Sequence, residues 1–220
     1  MKELRYTLLS DGSSDRALIP ILTWLLKQHG IRCPIEPEWA DLGRLRRAEK
    51  YFKLPERIRW SLDLYPCDLL FVHRDAEKEP HYKRVAEIRQ AVKQVKEWRI
   101  ETTICVVPVR MLEAWLLFDE AALRYAAGNP RGRQRLKLPA LNKLEKLPNP
   151  KHNLYELLRQ ASGLSGRRRK KLSVRAGVHR VAQAITDFSP LRALPAFQAL
   201  ETEVEAFVKA QGSDFEPSLN

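Results

Sequence analysis

The chain has 220 residues, of which 44% are hydrophobic, 30% charged and 23 are Gly or Pro. A chain of this length buries about 70% of its unfolded surface without staples, and its composition excludes collagen, a disulfide scaffold and long-range disorder. Its charge is unusual: 39 Lys and Arg face 27 Asp and Glu, a formal net +12, which favours polyanionic partners, nucleic acid before anionic membrane. Cys33, Cys67 and Cys105 are scattered, with no C-x-x-C pair or His cluster beside them, an arrangement that argues against zinc and against a disulfide framework. The opening Met-Lys-Glu-Leu-Arg runs into an apolar stretch too short for a signal peptide, and no apolar run approaches a membrane span. The expected compartment is a reducing cytoplasm, with no membrane partner.

Along the first 125 residues strand and helix patterns alternate. Leu4 to Leu9 is a strand, and Ser10-Asp-Gly-Ser-Ser14 a tight turn with Ser13 or Ser14 as N-cap. From Asp15 to Gln28 the apolar residues Ala17, Leu18, Ile21, Leu22, Leu25 and Leu26 recur at helical spacing, with Pro20 in the first turns and Gly30 as the stop. Ile31 to Trp39 holds a strand that Pro34 and Pro37 confine to an edge. Arg44 to Leu64 reads as two short helices broken at Pro55. Asp68 to His73 and Thr102 to Val107 are continuous apolar runs, as strands covered on both faces require. Pro80 to Trp98 is predicted as one long helix, and Leu112 to Ala127 as another, stopped by Gly128-Asn-Pro130. Such alternation predicts a parallel α/β sheet with right-handed crossovers.

The remainder is different. Residues 131–180 hold 15 Lys and Arg and two acids, a net +13, so the other 170 residues sum to −1. Their pattern is helical (Leu154, Leu157 and Leu158, then Val178, Val181, Ala182 and Ile185), and a last amphipathic helix runs from Leu194 to Ala210 before a frayed tail. The expected organisation is an α/β domain over 1–128, a basic helical extension packed on it over 129–212, and a tail over 213–220.

Ligands of parallel α/β sheets sit beyond the carboxyl ends of the strands. Asp11 and Asp15 follow the first strand, Arg74, Asp75 and Glu77 follow the strand ending at His73, and Arg110 and Glu113 follow the strand ending at Val107. Three strand ends that each deliver an acid are expected to bring carboxylates together, and hard oxygen donors suit Mg²⁺ or Mn²⁺. Each residue also has a local reason to stand where it does. Asp11 fits a turn, Asp15 and Glu113 fit first turns of helices, Asp75 and Glu77 fit a solvated loop, and His73 fits a hydrogen-bonded core position.

The run Leu8-Leu-Ser-Asp-Gly-Ser-Ser-Asp-Arg-Ala-Leu18 resembles the first motif of Toprim domains, the metal-binding domains of topoisomerases, primases and OLD-type nucleases. Asp11 stands where that motif has Glu. Asp75-Ala-Glu77 resembles the Asp-x-Asp of the second motif with Glu in the last place. Val109-Arg-Met-Leu-Glu-Ala-Trp-Leu-Leu-Phe-Asp119 is similar to a third motif found in small bacterial Toprim-like proteins, some of them linked to phage defence. The resemblance covers roughly residues 1–125 and implies a three-layer, Rossmann-like parallel sheet. It also implies that Asp11, Asp75, Glu77 and Glu113 hold Mg²⁺ or Mn²⁺ and carry catalysis, with Arg74 and Arg110 on the phosphate. No tyrosine is marked for strand rejoining, so the implied chemistry is hydrolysis. The cation run Arg167-Arg168-Arg169-Lys170-Lys171 is read as a loop that grips nucleic-acid phosphates. The expected function is Mg²⁺-dependent hydrolysis of DNA or RNA. Its rivals are a non-catalytic nucleic-acid-binding partner protein in a defence or toxin module, and a small-molecule phosphohydrolase.

Overall fold

The computed structural model describes residues 3–44 and 53–211. Its strands are β1 (Leu4–Leu9), β2 (Ile35–Trp39), β3 (Leu69–His73) and β4 (Thr103–Val106). Its α-helices are α1 (Ile19–Gln28), α2 (Leu54–Leu64), α3 (His81–Val92), α4 (Glu120–Ala126), α5 (Pro150–Ala161), α6 (Gly166–Lys170), α7 (Val174–Ala184) and α8 (Pro195–Gln211). The chain divides into two compact units, one of residues 1–74, 79–107 and 199–220, the other of residues 75–78 and 108–198.

The first unit is an α/β unit around a four-stranded, all-parallel sheet in the order β2-β1-β3-β4. The two central strands, β1 and β3, are apolar at their buried positions except for Thr7 and His73, and Tyr6 and Phe71 meet edge to face at 5.1 Å between them. The Tyr6 hydroxyl donates to the Ile19 carbonyl, which satisfies the polar end of a buried ring. From β1 the chain steps outward to β2 through α1, then back past β1 to β3 through α2, and on to β4 through α3. Right-handed crossovers place α1 on one face of the sheet and α2 and α3 on the other, which makes three layers.

Both edges of the sheet are guarded. Pro37 lies in β2 opposite Tyr6, flanked by Glu36 and Glu38, so that edge lacks one donor and carries like charges. On the other edge, the Glu203 carboxylate of α8 accepts from the backbone N–H of Cys105 at 2.8 Å. Arg89 of α3 donates to the Thr103 carbonyl at 2.8 Å and pairs with Glu203 at 2.7 Å. This ion pair occupies groups that a fifth strand would use.

Cys105 is buried beside Glu203, and burial, with that carboxylate, pushes its thiol up to about 12 from an ordinary 9.0. Its raised folded-state value leaves stability unaffected below about pH 9. Between there and pH 12 the unfolded chain ionises first, so stability falls as pH rises. Urea unfolding repeated across pH 8 to 11 is expected to show this decline, smaller in Cys105→Ser.

Several predicted boundaries shift. The turn after β1 is capped not by Ser13 or Ser14 but by Gly12, whose N–H is taken by the Asp15 carboxylate at 2.9 Å. Residues 13–18 form a 3-10 helix before α1, which leaves Pro20 in the first turn of α1. α3 stops at Val92 rather than Trp98, because the chain must turn to enter β4; Trp98 then donates its indole N–H to Thr103. Of the two helices read across Arg44 to Leu64, the second is α2, with Pro55 in its first turn. Residues 45–52, where the first was expected, lie outside the described residues, as does the tail from 212.

The second unit is helical. The predicted helix from Leu112 to Ala127 is a 3-10 helix (Leu112–Leu116) followed by α4. The break falls at Asp119, whose side chain caps the Ala122 N–H at 2.9 Å and so starts a new helix. α4 ends at the expected place, with Gly128 in the left-handed region at φ +74°. α4, α5 and α7 pack on one another. A Cβ on Gly177 of α7 would stand 2.8 Å from the Leu158 side chain of α5, so a larger residue there would have to push that side chain aside. Trp115 and Phe197 meet edge to face at 5.4 Å in the same core. Among the described residues no helix is long and apolar enough to cross a membrane, and the three cysteines are free.

Candidate functional site

In the first unit the strand order reverses between β1 and β3: the chain leaves β1 toward one edge and later continues toward the other. Such a switch point opens a crevice at the carboxyl ends of the two strands, where open parallel sheets take their ligands. Asp11 and Arg74 emerge there. Asp11 is half exposed and lies between two guanidinium groups, with Arg57 Nη1 at 2.5 Å from Oδ1 and Arg74 Nε at 3.1 Å from Oδ2. Arg57 also donates to the Ser10 carbonyl at 2.6 Å, and Arg74 is oriented by Glu87 at 3.0 Å. Asp15 is buried and folded back onto the turn, accepting from Gly12 N–H and from the Ser14 hydroxyl. Its role is local structure together with a facing histidine: His73 Nε2 is 3.9 Å from Asp15 Oδ2. The His73 ring is buried at the end of β3, and its Nδ1 bonds the Val106 carbonyl at 3.0 Å. A carbonyl only accepts, so Nδ1 carries the proton.

The second unit contains Asp75, Glu77, Arg110 and Glu113. Here the chain just beyond β3 and the chain just beyond β4 are stitched together. Ala76 N–H donates to the Pro108 carbonyl at 3.0 Å, Glu77 N–H to the Arg110 carbonyl at 3.2 Å, and Leu112 N–H to Asp75 Oδ1 at 3.1 Å. Glu77 and Arg110 have φ of +53° and +64°, a left-handed conformation that costs a residue with a Cβ of order 1 kcal/mol. Glu113 is buried in the 3-10 helix after β4 and pairs with Lys151 of α5 at 3.3 Å. Strain of this kind collects where a side chain must be aimed. Glu77→Gly is therefore expected to raise stability by about 0.5–1 kcal/mol in urea unfolding, because glycine adopts positive φ without that cost.

The basic run is not a loop. Residues 166–170 form α6, whose first residue, Gly166, has positive φ, and Lys171 ends it. Arg169 is partly shielded and pairs with Glu156 of α5 at 3.2 Å, while Arg167, Arg168, Lys170 and Lys171 are exposed. Their short helix sets them on a defined surface rather than a splayed one.

The chain thus brings Asp11, Arg57 and Arg74 together in one unit, and Asp75, Glu77, Arg110 and Glu113 into one stitched segment and its flank in the other. Among the described residues no three His, Cys, Asp or Glu side chains are grouped to hold a metal ion. Arg57 was not singled out in the sequence. It lies 46 residues from Asp11 in an ordinary amphipathic helix, and only the packing of α2 beside β1 reveals it. No family model, no curated protein and no solved structure matches the chain.

Proposed function

We propose that the chain is a Mg²⁺-dependent phosphodiesterase of the Toprim-like kind acting on nucleic acid. The observation that supports this reading most is the switch point between β1 and β3, with an acid and a base, Asp11 and Arg74, in contact at its mouth. The candidate ligands are Asp11 in the first unit and, taken separately, Asp75, Glu77 and Glu113 in the second. All are hard oxygen donors, and Mg²⁺ takes only one or two protein carboxylates beside waters and a substrate phosphate, so it needs no cluster of three. When bound, the ion supplies an activated water and offsets the charge that builds on the phosphorus oxygens. The chain's own contribution is orientation. Arg74 and Arg57 present further guanidinium donors to a phosphate, and Arg110 is aimed by its left-handed backbone. The exposed cations of α6 hold a polyanion by counterion release.

A second reading keeps nucleic-acid binding and omits hydrolysis. It is favoured by the cationic partners that Asp11 and Glu113 already have. Cleavage of plasmid and of single-stranded substrates, with Mg²⁺, with Mn²⁺ and with EDTA, separates the two. Cleavage that EDTA abolishes is the expected result; retention of DNA or RNA without cleavage in any metal selects the second.

A further inference from the structure

Beside Asp11 the first unit contains a cleft of about 530 Å³, within the range of small-molecule sites. Ser10, Asp11, Trp39, Asp41, Gly43 and Arg57 line it. Trp39 ends β2 with its indole N–H donated to Ser10 Oγ at 2.9 Å, so the ring is pinned to the carboxyl end of β1. A second, smaller cleft shares Trp39 and Asp41 in its lining and contains Arg16, whose guanidinium sits over the Trp39 ring at 5.6 Å from its centroid. Arg16 does not line the cleft beside Asp11.

The lining combines three kinds of recognition. Trp39 offers a rigid aromatic face. Asp41 presents a carboxylate, one oxygen of which accepts from Gly43 N–H at 3.2 Å. Arg57 has five N–H donors, and its bonds to Asp11 and to the Ser10 carbonyl use two of them. A flat π-system, a set of amino or hydroxyl donors and a phosphate are the three parts of a nucleotide. We propose that this cleft is a subsite for one nucleotide of a single-stranded nucleic acid, with the base stacked on Trp39 and the phosphate at Arg57. The proposal rests on the phosphodiesterase reading for its place beside Asp11, and it names the residues that select the substrate. Stacking on an aromatic side chain suits any base, so the subsite selects unpaired strand rather than sequence.

The test is calorimetric binding in EDTA, where nothing is hydrolysed, of AMP, of ribose 5-phosphate, and of a single-stranded tetranucleotide in competition with AMP. AMP is expected to bind about tenfold tighter than ribose 5-phosphate, the contribution of one stacked base. Trp39→Leu should bring AMP down to the level of ribose 5-phosphate and leave the latter unchanged, whereas Trp39→Phe should keep most of the preference. The tetranucleotide should displace AMP. Equal binding of the two small ligands by the parent chain overturns the proposal, and that comparison stands even if Trp39→Leu fails to fold. Equal losses for both ligands in a folded Trp39→Leu, or an AMP that the tetranucleotide cannot displace, overturn it as well. Metal-dependent cleavage with no preference for AMP sinks the subsite and leaves the hydrolytic reading. A Trp39-dependent preference without cleavage does the reverse.

Discussion

Asp75→Asn is expected to reduce metal-dependent cleavage to background while the chain folds as before. Asparagine keeps the oxygen that accepts from Leu112 N–H, so the stitch between the segments after β3 and β4 survives, and stability should stay within about 0.5–1 kcal/mol of the parent. What is lost is the negative charge, which a Mg²⁺ ligand needs and a hydrogen-bond acceptor does not. Asp75→Ala provides the contrast, because it strands the Leu112 donor and should cost about 1–2 kcal/mol. Cleavage rates and urea midpoints measured on both variants separate charge from structure. Full cleavage in Asp75→Asn would remove Asp75 from the chemistry.

Replacing Arg167, Arg168, Arg169, Lys170 and Lys171 together by Ser should flatten the log–log salt dependence of duplex binding by roughly two to three units, at about 0.9 unit per phosphate contact. The number follows from geometry. Arg169 is committed to Glu156, and on one short helix Arg167, Lys170 and Lys171 share a face at spacings of three and four. Arg168 is within three of Lys171 and reaches the flank of that face. Thermal stability should change little, since exposed charges contribute little to folding. Any sequence preference should persist, because phosphate contacts position a protein without reading bases. An unchanged slope with binding intact would move the footprint to Arg131, Arg133, Arg135 and Lys137.

The sheet was legible in the sequence because its signal is local. Four segments of strand length, one of them weakened by Pro34 and Pro37, became the four parallel strands with the weak one at an edge. Helix ends were less legible where a side chain rather than a Gly or Pro sets them. Asp119 splits an apolar run that reads as one helix, and Asp15 reaches back to Gly12 and displaces the serine caps. The place of each candidate acid just after a strand was legible, but the expected gathering of three such acids is not seen among the described residues. The long-range partners of the candidate site were not legible. Nothing in the local pattern of α2 or β2 says that Arg57 will close on Asp11, that Trp39 will bond Ser10, or that Lys151 will meet Glu113. Those contacts depend on which elements become neighbours, and a lone sequence does not encode that in any short window.

The ion pair of Arg89 and Glu203 along β4 bears on how copies of this chain can associate. A parallel sheet with a bare outer strand invites recruitment of another molecule's backbone, and such recruitment propagates without limit. Here the Cys105 amide and the Thr103 carbonyl are already spoken for by side chains, and at the far side Pro37 and its two glutamates deny the same opening. Growth of this sheet by adding strands from another molecule is thereby disfavoured at both edges, and so is the seeding of fibrils from it.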